Sequence, residues 1–179
     1  MSLKLISTTE VTQGNANKIT INPVFSADYK VYFVQFNNTS ADTQRENNSM
    51  DVRLVDSTGT EITANYDHRS LMFRGYTNAP FDLGGSNRDD FALIYHDKDD
   101  NHGNGNGSMW IYDPFGSNYT YQSFQETGSM AYPSSTKLGV HIRGGGVHKA
   151  NTSITGISFT NRDSYDIETL TCRIYGLEQ

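Results

Sequence analysis

The chain has one cysteine, Cys172, so no disulfide can close within it, and stability must come from core burial and subunit contacts. Proline is scarce, at 4 of 179 residues, and no stretch reaches the roughly 18 apolar residues of a membrane-spanning helix. Basic residues form no run, and the formal net charge is −6. That balance gives no footprint for a nucleic-acid backbone or an anionic membrane, so neither partner is expected. The opening Met1-Ser2-Leu3-Lys4-Leu5-Ile6-Ser7 lacks the long apolar run and cleavage site of a signal peptide, and export by that route is not expected. Only 35% of residues are hydrophobic and 19% charged, while Ser, Thr, Asn and Gly abound, a balance that excludes an all-helical protein. Eleven Tyr, nine Phe and Trp110 provide more core-forming bulk than a disordered chain carries. The length predicts one domain over residues 1–179.

What is present is a strand rhythm. Nine short apolar runs, at 18–21, 29–36, 52–55, 71–73, 91–95, 109–112, 137–142, 154–159 and 170–175, are separated by Gly, Asn, Asp, Ser and Pro. None has the length or 3.6-residue period of a helix, and a single polar turn at Thr43 to Asn47 is the one helical expectation. Leu170, Cys172 and Ile174 alternate with Thr171, Arg173 and Tyr175, which predicts a strand with the first set inward. Ser57-Thr58-Gly59 is read as the turn of a hairpin between Val52 and Ile62. Hairpins without crossover helices favour an all-β antiparallel sandwich or barrel. Tyr29 to Phe36 is apolar on both faces, and a sandwich has only one interior. Tyr32 and Phe36 are therefore read as an oligomer contact. Gly144-Gly145-Gly146 reads as a mobile or tightly turned connection, and Asp97 to Ser108 as an exposed loop.

Signals of chemistry are sparse. Asp97, Asp99 and Asn101 imitate the start of a calcium loop, but His102 stands where Gly is needed and Ser108 where Glu is needed, so a solvated loop is expected. The five histidines show no zinc-ligand spacing, and His141 is read as an outward strand residue. No nucleophile elbow occurs, and Cys172 lies on the inward set of its strand, where a thiol is inert. Asp89-Asp90 is read as the end of a turn. No catalytic residue, metal site or cofactor is expected. Trp110 and Tyr112 share one strand face, as do Tyr119 and Tyr121, and Asp113-Pro114-Phe115-Gly116 reverses the chain between the pairs. These four aromatics are read either as core and intersubunit contacts or as a glycan-stacking platform.

The ends of the chain resemble a known group. The opening Met1 to Ile6, then Ile19-Thr20-Ile21 and Phe25-Ser26-Ala27-Asp28-Tyr29-Lys30-Val31-Tyr32, is similar to small virion structural proteins of tailed bacteriophages of the marine and cyanobacterial type. Ile154 to Phe159 and Cys172-Arg173-Ile174-Tyr175-Gly176-Leu177 resemble the closing strands of the same group. The resemblance implies a jelly-roll-like sandwich with almost no helix; the residues themselves are read with Phe25 and Tyr29 beginning the central strand and Tyr175-Gly176 ending the last one, where Gly lets the backbone turn away. It implies a non-catalytic virion building block assembled in the host cytoplasm. A capsid decoration protein bound to the particle lattice, beside the major capsid protein or tail proteins, is the first expectation, and a homotrimer is the expected oligomer. A tail-fibre, tail-tip or adaptor component reading a host-surface glycan is the alternative, and a carbohydrate-binding module a second one.

Overall fold

The computed structural model describes residues 2–12, 16–39, 48–75, 79–96, 104–131, 137–162 and 166–178. They form the strands β1 (Leu3–Thr12), β2 (Lys18–Ile21), β3 (Val31–Thr39), β4 (Asn48–Asp56), β5 (Tyr66–Arg74), β6 (Phe81–Arg88), β7 (Ala92–His96), β8 (Asn104–Tyr112), β9 (Thr120–Ala131), β10 (Lys137–His148), β11 (Ile154–Asn161) and β12 (Thr169–Leu177). Every pairing among them is antiparallel. One sheet has the order β1-β12-β3-β8-β9-β10-β5-β6 and the other β2-β11-β4-β7. The first four strands of the larger sheet, packed on the smaller one, reproduce the two four-stranded sheets of a jelly roll. The strand pairs β5–β6 and β9–β10 are inserted into that plan and lengthen only the larger sheet.

The core lies between the sheets, because each strand there alternates and turns its apolar set inward. In β12, Leu170, Cys172 and Ile174 are buried, as their spacing predicts. Burial pushes the Cys172 thiol up to about 12, so it packs as a small hydrophobe. Tyr32, Val34 and Phe36 of β3 are also inward. The expected oligomer contact through Tyr32 and Phe36 is thus corrected: both rings are enclosed within one chain. Phe36 packs 6.0 Å from Phe159 of the opposite sheet, and the Tyr32 hydroxyl donates to the Ser26 carbonyl at 3.0 Å. The other apolar face of this strand belongs to Phe33, whose ring lies 4.8 Å from Trp110 and 6.1 Å from Tyr175 on the outer surface.

The larger sheet outruns its partner. Beyond β7, the inner face of β5, β9 and β10 is covered by the hairpin after β4 and by the residues between β6 and β7. The hairpin closes as expected, with Gly59 N donating to Asp56 O at 3.0 Å, though its second arm is a single bridge between Val55 and Glu61 and no strand. The Tyr66 hydroxyl donates to Ile62 O and accepts from Leu54 N, each at 3.0 Å. Phe91 packs 5.6 Å from the Tyr66 ring, and its carbonyl accepts from Gln122 Nε2 at 2.8 Å. Backbone-directed hydrogen bonds thereby do here what a facing strand does elsewhere.

Three strands, β1, β6 and β9, have no clear apolar run, and several sequence-based boundaries change. Asn104 to Ser108 begin β8 and are no loop, while residues 97–103, with the calcium-loop candidates and His102, and the turn at 43–47 lie outside the described residues. Phe25 and Tyr29 precede β3, and Gly176 is a strand residue over which the Tyr29 ring packs. Gly144-Gly145-Gly146 lies inside β10 and makes no turn. A Cβ on Gly144 would stand 2.5 Å from both Arg69 O and Ser70 Oγ, and one on Gly146 would stand 2.7 Å from Asp67 O and His68 Cβ. Glycine is required there by the close approach of β5. Gly139, in the same strand, has open space where a Cβ would stand. We therefore expect Gly144→Ala to lower stability by about 1–3 kcal/mol while Gly139→Ala leaves it within about 0.5 kcal/mol, read by thermal melting. Equal melting temperatures for the two variants would contradict this packing.

Candidate functional site

The outer face of the larger sheet carries a groove of about 570 Å³ over β8, β9, β10, β5 and β6. Strand register places its side chains in two transverse rows. The first runs Tyr175, Phe33, Trp110, Ser123, Gly145, Arg69. The second runs Arg173, Gln35, Ser108, Gln125, Arg143, Leu71 and ends at Asp82. Trp110 and Ser108 lie two residues apart on one strand and so share this face, as do Ser123 with Gln125 and Arg69 with Leu71. Gly145 presents no side chain between Ser123 and Arg69, which leaves the first row open on the side of Trp110 away from Phe33.

The groove joins an apolar wall to free polar groups. Trp110 is half-buried and held at a tilt of 45° by Phe33. Arg69 Nη1 donates to Asp82 Oδ2 at 2.8 Å, an exposed pair worth little in stability but enough to occupy both groups. The Arg143 guanidinium lies 5.6 Å from the centre of the Phe73 ring. His141 faces outward as its alternation predicts and lies 3.3 Å from Thr127 Oγ1. Ser108, Ser123 and Gln125 can both donate and accept. An aromatic flank beside such groups suits a ligand with one apolar face and many hydroxyls.

Of the four aromatics singled out in sequence, only Trp110 lines the groove. Tyr112 and Tyr121 are register partners on the same outer face, at the end of the β8–β9 hairpin, and both are exposed. Tyr119, exposed in the turn before β9, and Phe115 extend this aromatic rim. The chain reverses at Asp113 to Gly116 as expected, with Gly116 N donating to Asp113 O at 3.3 Å. Sequence reasoning misses Arg69, Arg143 and Gln125, because three long-range pairings bring them to Trp110 and no local spacing announces that.

A second polar assembly lies at the edge between the sheets. Asp90, in the segment before β7, is fully buried, with Oδ2 2.9 Å from His68 Nε2 and Oδ1 3.1 Å from both Arg88 and Arg162. Burial raises its pKa, but the His68 hydrogen bond and the surrounding positive groups more than offset this, and the carboxyl sits below its ordinary value. Asp51 pairs with Arg53 at 2.8 Å and with Arg162, yet burial dominates and pushes its carboxyl up. Glu61 accepts from Ser158 and Thr160 and pairs with Arg53. Each carboxylate is engaged by bases or hydroxyls, so this network ties β4, β5 and β11 to the segment before β7. Among the described residues no group of three or more His, Cys, Asp or Glu is placed to hold a metal ion.

At the end of β10, His148 is buried against the Tyr66 ring at 5.0 Å, and neither of its nitrogens has a partner among the described residues. Burial lowers its pKa, so the unfolded chain takes up a proton before the folded one does. Stability from the neutral ring is present above the unfolded value of about 6.5 and falls below it, by up to about 1.4 kcal/mol per pH unit. Thermal melting between pH 7 and 5.5 should show this fall in the parent and a shallower one in His148→Leu. Parallel curves would contradict it.

No family model and no curated protein matches the chain. Solved structures that are distantly similar include the CBM2 module of Lactobacillus casei BL23 phage J-1 evolved Dit, at 11% identity, with 90% of this chain and 70% of that one covered and a TM-score of 0.27. A family 7 alginate lyase A1-II′, H191N/Y284F, in complex with substrate is 11% identical, with 84% of this chain covered and a TM-score of 0.26. This chain spans 63% of the length of that lyase. The VP2 subviral particle of infectious bursal disease virus gives 8% identity, 96% and 42% coverage and a TM-score of 0.16. Likenesses at this level carry no argument about activity or ligand.

Proposed function

We propose that this chain is a non-catalytic, jelly-roll-like component of a bacteriophage particle that binds a glycan in the groove of its larger sheet. The observation that carries the reading is the groove itself, in which Trp110 stands beside Ser108, Ser123 and Gln125 with no side chain at Gly145. Binding is favoured over hydrolysis because Asp82, the one carboxylate lining the groove among the described residues, is held by Arg69, whereas glycoside cleavage uses a carboxylate pair. The phage setting rests on the resemblance of the terminal segments, and a host-surface glycan is the ligand that setting supplies. A glycan array should return selective binding to the parent, and Trp110→Ala should weaken it by about tenfold or more through loss of the stacking surface. Unchanged binding by that variant, or no binding to any glycan by the parent, would contradict the reading.

A second reading, attachment to the particle lattice as a capsid decoration protein, is favoured by a different surface. Leu3, Leu5 and Ile6 of the edge strand β1 are exposed at 43%, 53% and 37%. An apolar edge strand is a template for pairing with another chain. It supports association with a neighbouring virion protein or with further copies, a homotrimer being the form the resemblance suggests. Light scattering should then report an oligomer that Leu5→Lys dissociates, and a monomeric parent would remove self-association through β1.

A further inference from the structure

We infer that the groove selects a glycan bearing a carboxylate, such as a uronate or sialate, and that Arg143 is the residue that selects it. The inference rests on the glycan reading above and adds the chemical class of the sugar. The chain carries a formal net charge of −6, yet the outer face of its larger sheet does not share that sign. Three acids on this face have a base beside them: Asp82 pairs with Arg69 at 2.8 Å, Asp67 with Lys149 at 2.9 Å, and Glu10 with Arg173 at 3.9 Å. Arg143 has no carboxylate partner among the described residues. It is exposed, and its guanidinium rests by the Phe73 ring. A cation left uncompensated where its neighbours are paired gives the groove a net positive centre.

Position and shape match a carboxylate as well as charge does. Arg143 lies opposite Gln125, which lies opposite Ser108, so donors and acceptors for hydroxyl groups adjoin the guanidinium in one row. Trp110 flanks that row two residues along β8 from Ser108, and β8 and β10 are separated by about 10 Å, two strand spacings. A sugar stacked on the indole therefore places its chain over Gln125 within reach of Arg143. The planar fork of a guanidinium donates two parallel hydrogen bonds to a carboxylate, a match that an ammonium cannot make. Phe73 beside the guanidinium restricts its orientation.

The test uses matched glycans on one array: galacturonate, glucuronate and N-acetylneuraminate oligosaccharides, their methyl esters, and sulfated oligosaccharides, with calorimetry on the strongest pair. The acid should bind about tenfold or more tightly than its ester, the range expected for a hydrogen bond to a charged group. Arg143→Gln should abolish the preference for acid over ester while leaving the melting temperature unchanged, and Arg143→Lys should restore only part of the preference. Acid and ester bound alike, both lost in Trp110→Ala, would overturn the inference and leave the glycan reading standing. Sulfated glycans preferred over carboxylated ones would overturn the carboxylate assignment. No binding to any member of the array would remove both.

Discussion

The constraint on which this structure depends is the mismatch between an eight-stranded sheet and a four-stranded one. A jelly roll with equal sheets covers its own interior, but here β9, β10, β5 and β6 extend past the smaller sheet. Their inner face must be covered by non-strand segments, whose backbone groups have to find partners out of water. Tyr66, Gln122 and the His68–Asp90 pair meet that need by binding the hairpin after β4 and the residues around Phe91. Gly144 and Gly146 let β5 lie close enough for those contacts to form.

The same extension creates the groove of the outer face. Without β9, β10 and β5 the outer face would hold the aromatic row of Tyr175, Phe33 and Trp110 and nothing beyond it. The added strands bring Ser123, Gln125, Arg143 and Arg69 alongside, and they form a groove where a shorter sheet would present an edge. The network of Asp51, Arg53, Asp90 and Arg162 belongs to β4, to the end of β11 and to the segment before β7, and Asp90 joins it to β5 of the larger sheet through His68. Removing one partner from such a network leaves a buried charge uncompensated, which costs about 3–5 kcal/mol, so its role is to fix geometry.

Much of the fold is legible in the sequence. The alternation of Leu170, Cys172 and Ile174, the outward placement of His141 and the absence of helix among the described residues follow from period and composition, because a two-residue period is a local property. What is not legible is long-range. β9 reads as Thr-Tyr-Gln-Ser-Phe-Gln-Glu-Thr, with too many polar residues for an apolar run, because part of its inner face is polar: Gln122 and Glu126 are buried. The three glycines of β10 imitate a loop because their purpose lies in β5. Tyr32 and Phe36 suggest an interface in sequence only because Phe33, on the opposite face, reads as excess apolar surface, whereas it supports Trp110. Of the site, Trp110 is visible in the sequence and Arg143 is not.

The most direct test of the central claim, that the extended outer face is where this chain meets its ligand, is amide chemical-shift mapping by NMR with a glycan selected on the array. The account predicts that titration shifts the amides around Ser108–Trp110, Ser123–Gln125, Arg143 and Arg69–Leu71 and leaves β2, β4 and β11 of the smaller sheet unmoved. Perturbations confined to the smaller sheet, or to β1 alone, would contradict it.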